Sequence, residues 1–186
     1  TSVYYEDSFA QFTNGTGKAS AATWTTETDN TPAKATTTQA LSALGSKDVY
    51  GHDTAYADST KLSMGSARKV TVSAGMVKDW TENSAWPTAT FTFKGTGFDV
   101  ISLTDNKSGA ISVKVYAVNS DGTEKQVAGT LVNNYYGYEF KDGAWTVKPS
   151  ANNALYQIPV IKIGGLDYGT YKVVITAAYA TYADKT

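Results

Sequence analysis

Two stretches hold residue types suited to recognition chemistry. In Lys78-Asp79-Trp80-Thr81-Glu82-Asn83-Ser84-Ala85-Trp86, two indoles stand close together among a lysine, two carboxylates and an amide. In V-N-N-Y-Y-G-Y-E-F-K-D-G-A-W-T-V-K-P, from Val132 to Pro149, Tyr135, Tyr136, Tyr138 and Trp145 accompany Asn133, Asn134 and Glu139. Flat rings can lie against the C–H faces of a pyranose while amides and charged groups reach its hydroxyls, so an apolar platform with a few directed polar groups suits a sugar. The same rings can instead fill a core or pack within their own hairpin. Trp86, beside Pro87 and leading into a strand, suits the core as well as a platform.

Other chemistry finds less support. Tyr50 and His52 lie in the polar loop Asp48 to Asp58, where His52, the single histidine, reads as a surface residue or a donor to a sugar hydroxyl. With no cysteine and no second imidazole, no transition-metal site is expected. Glu6 and Asp7 read as a solvated turn, with a structural Ca²⁺ site as the alternative, and no other cofactor is expected. A glycosidase needs two carboxylates flanking one bond, one of them in an apolar pocket. Asp79 with Glu82, or Glu139 with Asp142, sit in polar sequence that selects neither pair, and no G-x-S-x-G elbow exists, so no enzyme is expected.

The elements that must position these groups are strands. Apolar residues alternate in Thr90 to Lys94 and again from Phe98, with Gly95-Thr96-Gly97 between them, which reads as two paired strands or one strand with a bulge. Leu155 to Ala177 reads as a hairpin with Tyr171, Val173 and Ile175 inward and Lys172 and Thr176 outward. Ala110 to Val118 alternates Ile111, Val113 and Val115 with Ser112, Lys114 and Tyr116, and ends in the turn Asn119-Ser120-Asp121-Gly122. Asp142-Gly143 predicts a two-residue hairpin pairing Lys141 with Ala144 and Phe140 with Trp145. Val3 to Tyr5 suits an edge strand, Val70 and Val72 an inward strand face, and Thr38 to Leu44 a turn or two of helix. Ala19 to Thr38, rich in Ala and Thr, reads as an ordered irregular excursion because Trp24 lies within it.

The sequence F-x-F-x-G-T-G-F-D-V-I-S, then I-S-V-K-V-Y, and later I-K-I-G-G-L-D-Y-G-T-Y-K-V-V-I, resembles the galactose-binding-like β-sandwich of carbohydrate-binding modules. More narrowly it is similar to modules in surface and secreted proteins of gut Firmicutes, including the starch-adherence proteins of Ruminococcus. The likeness spans Ser66 to Ala178 and hardly touches the first third. It implies an antiparallel all-β jelly roll of about eight core strands with one or two short helices. It also implies non-catalytic binding of a plant polysaccharide, with starch and other α-glucans favoured, outside the cell or at its surface. Such motifs speak to fold more than to ligand.

Bulk properties agree with that class. The 186 residues suit one β-sandwich domain. A net charge of −1 gives no basic footprint for nucleic acid, and no apolar run is long enough to span a bilayer. Thirteen Tyr and four Trp against six Phe favour half-wet, gripping surfaces. A polar start without a signal-peptide pattern reads as a mature fragment or an excised piece of a larger multi-modular protein, and the module is expected to be monomeric beside other domains. The competing expectation is a structural or adhesive module that spaces other domains or binds a protein.

Overall fold

A computed structural model describes residues 2–28, 62–105, 107–133, 138–141, 144–147 and 155–178, with the backbone alone at 133, 138–141, 144–147, 155 and 178. The helix expected over Thr38 to Leu44 lies outside the described residues.

Phe91 and Phe93 alternate with threonines along β4 (Thr88–Gly95), and Tyr171 and Val173 do so with Lys172 and Val174 along β11 (Gly169–Ala178). Each strand therefore has one face to bury. With β1 (Gln11–Thr13), β6 (Ala110–Val118) and β7 (Glu124–Asn133) they form an antiparallel five-stranded sheet in the order β1-β4-β11-β6-β7. The second layer pairs β5 (Phe98–Thr104) with β10 (Leu155–Ile163). Val113, Val115, Ile158, Val160, Ile161, Tyr171 and Val173 are buried between the layers, with Phe91, Phe93, Phe98 and Val100 packed against them. Each such aliphatic side chain stabilises the fold by about 1.5–3 kcal/mol. The protein is an all-β antiparallel sandwich.

Two separate ribbons accompany it. β2 (Thr25–Thr28) pairs with β3 (Ser66–Lys69), and β8 (Tyr138–Lys141) pairs with β9 (Ala144–Val147). The second has the predicted register, Lys141 opposite Ala144 and Phe140 opposite Trp145. A smaller buried cluster joins Leu62 to Tyr156.

Two expected pairings are corrected. β4 and β5 do not pair with each other, nor do β10 and β11. Each couple instead forms an arch that leaves one layer and enters the other, and the two arches nest. β4 lies against β11 from Gly95 opposite Gly169 to Thr88 opposite Thr176, and β5 lies against β10 from Phe98 opposite Ile163 to Thr104 opposite Leu155. A two-residue link is the length of a hairpin turn, which is why the sequence suggested one. Here Thr96 and Gly97 carry the chain across the core because both flanking strands have an apolar face to bury against the opposite layer. At the crossing Leu166 N–H donates to the Thr96 carbonyl (3.0 Å), and the Tyr171 hydroxyl donates to the Asp167 carbonyl (2.5 Å).

Two smaller expectations also change. Val3 to Tyr5 is not a strand, since the chain there leads into a 3₁₀ turn over Asp7–Phe9. Val70 and Val72 follow β3 rather than belonging to a strand, because β3 stops where its partner β2 begins, with Lys69 opposite Thr25.

The nested crossing makes a sharp prediction. A Cβ at Gly97 would run into the Ile163 carbonyl oxygen and come within 2.8 Å of Gly164 Cα, both backbone, whereas one at Gly164 meets nothing within 4 Å. Gly97→Ala should lower unfolding free energy by about 2 kcal/mol or more in urea titrations. Gly164→Ala should stay within about 0.5 kcal/mol of the parent.

The β6–β7 turn gives a pH-dependent one. The Asp121 carboxylate accepts from the Thr123 hydroxyl (2.6 Å) and then from its N–H (3.0 Å), and these bonds hold its pKa below the ordinary value. A lowered folded-state pKa means the contribution is present above the unfolded-state value and is lost as pH falls through the folded one. An NMR titration should show the Asp121 carboxyl and Thr123 amide moving together at that low pH, and Asp121→Asn should abolish the transition.

Candidate functional site

The first aromatic stretch follows a one-turn helix, α1 (Ala74–Lys78), whose Ser73 hydroxyl accepts from Met76 N–H (3.4 Å). The helix ends as Asp79 N–H bonds the Gly75 carbonyl and Trp80 N–H the Val77 carbonyl. The chain then returns toward β4 along the Asn14–Ala22 loop. Thr16 and Ala85 exchange backbone hydrogen bonds (2.9 and 3.3 Å), and Lys18 N–H donates to Ser84 Oγ, which also bonds Thr81 Oγ1 (3.1 Å). Gly17, at φ +59°, permits this approach, since a Cβ there would lie 2.8 Å from Ser84 Cα. Just before β4, Pro87 is fully buried and its carbonyl accepts from Ala177 N–H in β11 (3.1 Å).

These anchors bring the two predicted indoles together. Trp80 and Trp86 stack with ring centroids 4.0 Å apart and planes 20° from parallel. Trp86 is half-buried and Trp80 stays 36% exposed. Lys78, Asp79, Glu82 and Asn83 are all exposed along the same loop. The arrangement is therefore a fixed indole stack with an accessible outer ring and titratable and amide groups around it.

The second stretch is described only in part. The Tyr138–Val147 ribbon has its expected pairing, and Asn133 ends β7 opposite Ala110. The side chains of Asn133, Tyr138 and Trp145 lie outside the described residues, as do Tyr50, His52, Tyr135 and Tyr136 altogether.

The remaining aromatics sort by environment. Trp24 is structural: its Nε1–H donates to the Thr13 carbonyl (3.0 Å) and its ring meets Phe12 edge-on. Tyr116 on the outer face of the large sheet is covered by the Lys172 ammonium 5.2 Å from its centroid, itself paired with Glu124 at 2.5 Å. Tyr168 at the β10–β11 crossing is exposed with Lys94 over its ring. At Glu6 and Asp7, the Arg68 Nε is 3.5 Å from Asp7, and Ser63 Oγ donates to Glu6 (2.6 Å). Among the described residues no three His, Cys, Asp or Glu side chains converge as a metal site would require.

Sequence reading passed over a second stack. Tyr5 and Phe9 lie 4.0 Å apart with planes 18° from parallel, and Phe9 touches Phe91 of the core. Their spacing of four residues around an Asp-Ser turn was the available signal, masked by reading Val3 to Tyr5 as a strand.

No protein-family model matches the chain, and no curated protein matches its sequence. No helix among the described residues is long and apolar enough to cross a membrane.

The indole stack is directly testable. Trp80→Ala and Trp86→Ala should each remove the same exciton couplet from the far-ultraviolet circular dichroism spectrum, and Trp24→Ala should leave it. Trp80→Ala should cost only about 1 kcal/mol, in line with loss of one aromatic pair, and Trp86→Ala more, since its ring is the more buried.

Proposed function

We propose that this protein is a non-catalytic carbohydrate-binding module recognising a neutral plant polysaccharide, with starch and maltooligosaccharides first. The observation that supports the reading is the Trp80–Trp86 stack, fixed by backbone bonds on both sides and open on its outer ring. A partly exposed indole held in one orientation fits the apolar face of a pyranose, with Lys78, Asp79 and Asn83 in the same loop to meet its hydroxyls. Pre-ordering of the platform reduces the ordering cost of binding, which matters for weak, single-sugar contacts. Tyr50, His52, Asn133, Tyr135, Tyr136, Tyr138 and Trp145 remain further candidates for the same task. The preference for α-glucan rests on the likeness to starch-adherence modules, as does placement outside the cell or at its surface. The likeness also favours a monomeric module working beside others, where several weak sites on one polymer add avidity.

A second reading, an adhesive or spacing module, is favoured by the exposed Val127 and Leu131 on β7, the last strand of the large sheet. Apolar side chains on an edge strand suit a protein partner.

Affinity electrophoresis separates the two. The protein should be retarded in a gel containing starch, or failing that xylan or mannan, and run freely without polysaccharide. Trp80→Ala should sharply reduce retardation while lowering Tm by about 2–4 °C per kcal/mol lost. Added salt should leave retardation unchanged, because a neutral glycan releases no counterions. Free migration in every gel would favour the protein-binding reading.

A further inference from the structure

Four large apolar or aromatic side chains stand exposed within seven residues of the N-terminal segment: Val3, Tyr4, Tyr5 (61%) and Phe9 (39%). The segment makes no strand pairing, yet it is held. The Asp7–Phe9 turn closes through Phe9 N–H to the Glu6 carbonyl and Ala10 N–H to the Asp7 carbonyl, both 3.0 Å. Side chains tie it outward, Glu6 to Ser63 and Asp7 to Arg68, and the Arg68 guanidinium also lies 5.2 Å over the Phe12 ring. Phe9 is seated on the core through Phe91, at 5.8 Å, and Tyr5 is stacked on Phe9. The result is a ring fixed at one end of an aromatic series and open to solvent at the other.

This matches the Trp80–Trp86 stack feature by feature. Both pairs have centroids 4.0 Å apart and nearly parallel planes, and in both the outer ring is the more exposed of the two, although Phe9, unlike Trp86, is itself exposed. Both sit beside β4: Trp86 lies two residues before its first residue, and Phe9 packs on Phe91 within it. Five residues of extended chain put the two supports about 17 Å apart. The charges agree as well. Glu6, Asp7 and Arg68 sum to −1 at one stack, and Lys78, Asp79 and Glu82 sum to −1 at the other. Neither suits a polyanionic glycan, and both leave carboxylate and cationic groups to bond neutral hydroxyls.

We infer that Tyr5, supported by Phe9, is a second pyranose-binding platform, so that one neutral polysaccharide chain can engage this module at two places. The inference rests on the glycan-binding reading but names a different ring. Two linked contacts on one polymer raise apparent affinity through effective concentration, while a short oligosaccharide occupies either platform singly.

The test uses the whole chain with soluble starch and with maltotriose, xylan and mannan serving as further arms, and compares Tyr5→Ala, Tyr5→Leu, Trp80→Ala and Tyr5→Ala/Trp80→Ala. Circular dichroism reads folding, and NMR of the aromatic side chains reads contact. Tyr5→Ala should weaken binding to the retained polymer about tenfold or more, and maltotriose should shift the Tyr5 and Phe9 ring signals in the Trp80→Ala protein. Tyr5→Leu, which keeps apolar bulk without a flat ring, should be as weak as Tyr5→Ala and remain folded. Loss of binding in Tyr5→Ala but not in Trp80→Ala would leave Tyr5 as a lone platform and so overturn the two-place inference together with the indole platform. Polymer binding unchanged in Tyr5→Ala, with shifts confined to Trp80 and Trp86, would overturn the inference and leave the module reading standing. Binding retained by Tyr5→Leu at full strength would also overturn it, since stacking is then not the contact. Absence of binding to every polysaccharide would overturn both.

Discussion

The nesting of two arches is the constraint on which the molecule depends. β4 and β5 on one side, and β10 and β11 on the other, each cross from layer to layer, and each strand finds its hydrogen-bonding partner in the other arch. Backbone pairing in both layers and burial of the aliphatic core between them are therefore one event. Gly97 is the contact point: its missing side chain lets one crossing lie on the other, and the Leu166 to Thr96 hydrogen bond fixes their offset. A one-residue shift of the first crossing would turn Phe91 and Phe93 away from the core, and one of the second would do the same to Tyr171 and Val173, because side chains alternate with a period of two.

The same constraint reaches the candidate site. Ala177 of β11 bonds the Pro87 carbonyl, so the register of β11 against β4 also sets where the indole loop enters the sheet. Nothing about Trp80 itself is built into the core. Its position is inherited through Trp86, then Pro87, then the sheet, with Thr16 and Ala85 as a lateral stay. A ring that is exposed yet determined through a short chain of fixed neighbours loses little freedom when a ligand covers it, which is the condition a weak sugar contact requires.

What could be read from the sequence followed from local rules, and what could not followed from non-local ones. The period-two patterns of Ala110 to Val118 and of Tyr171 to Ile175 were enough to assign strands and faces, since alternation of burial is a property of one strand. Asp142-Gly143 gave a correct register because a two-residue turn leaves no other. Gly95-Thr96-Gly97 gave the wrong partner because the same short glycine link serves a hairpin or an arch, and only the presence of a second arch decides. At the site, proximity in sequence was a fair guide to the Trp80–Trp86 stack. It said nothing of Arg68 meeting Asp7 or Ser63 meeting Glu6, which join segments more than fifty residues apart.

The exposed stacks also bear on why such a fold keeps its rings outside. A stacked pair gains about 0.5–1.5 kcal/mol beyond its area burial, a contribution a surface loop can obtain without reaching the core. Trp80 on Trp86 and Tyr5 on Phe9 each stabilise a segment that lacks regular secondary structure. If stability alone had been at issue, covering the outer ring would add burial at about 25 cal/mol per Å², and Met64, 85% exposed beside the Ser63 contact to Glu6, shows apolar bulk left outward in that region too. Inner rings tied to the sandwich and outer rings open to solvent divide two roles: the first holds the loop, and the second leaves a flat apolar face exposed, which is the feature the proposed glycan contact rests on.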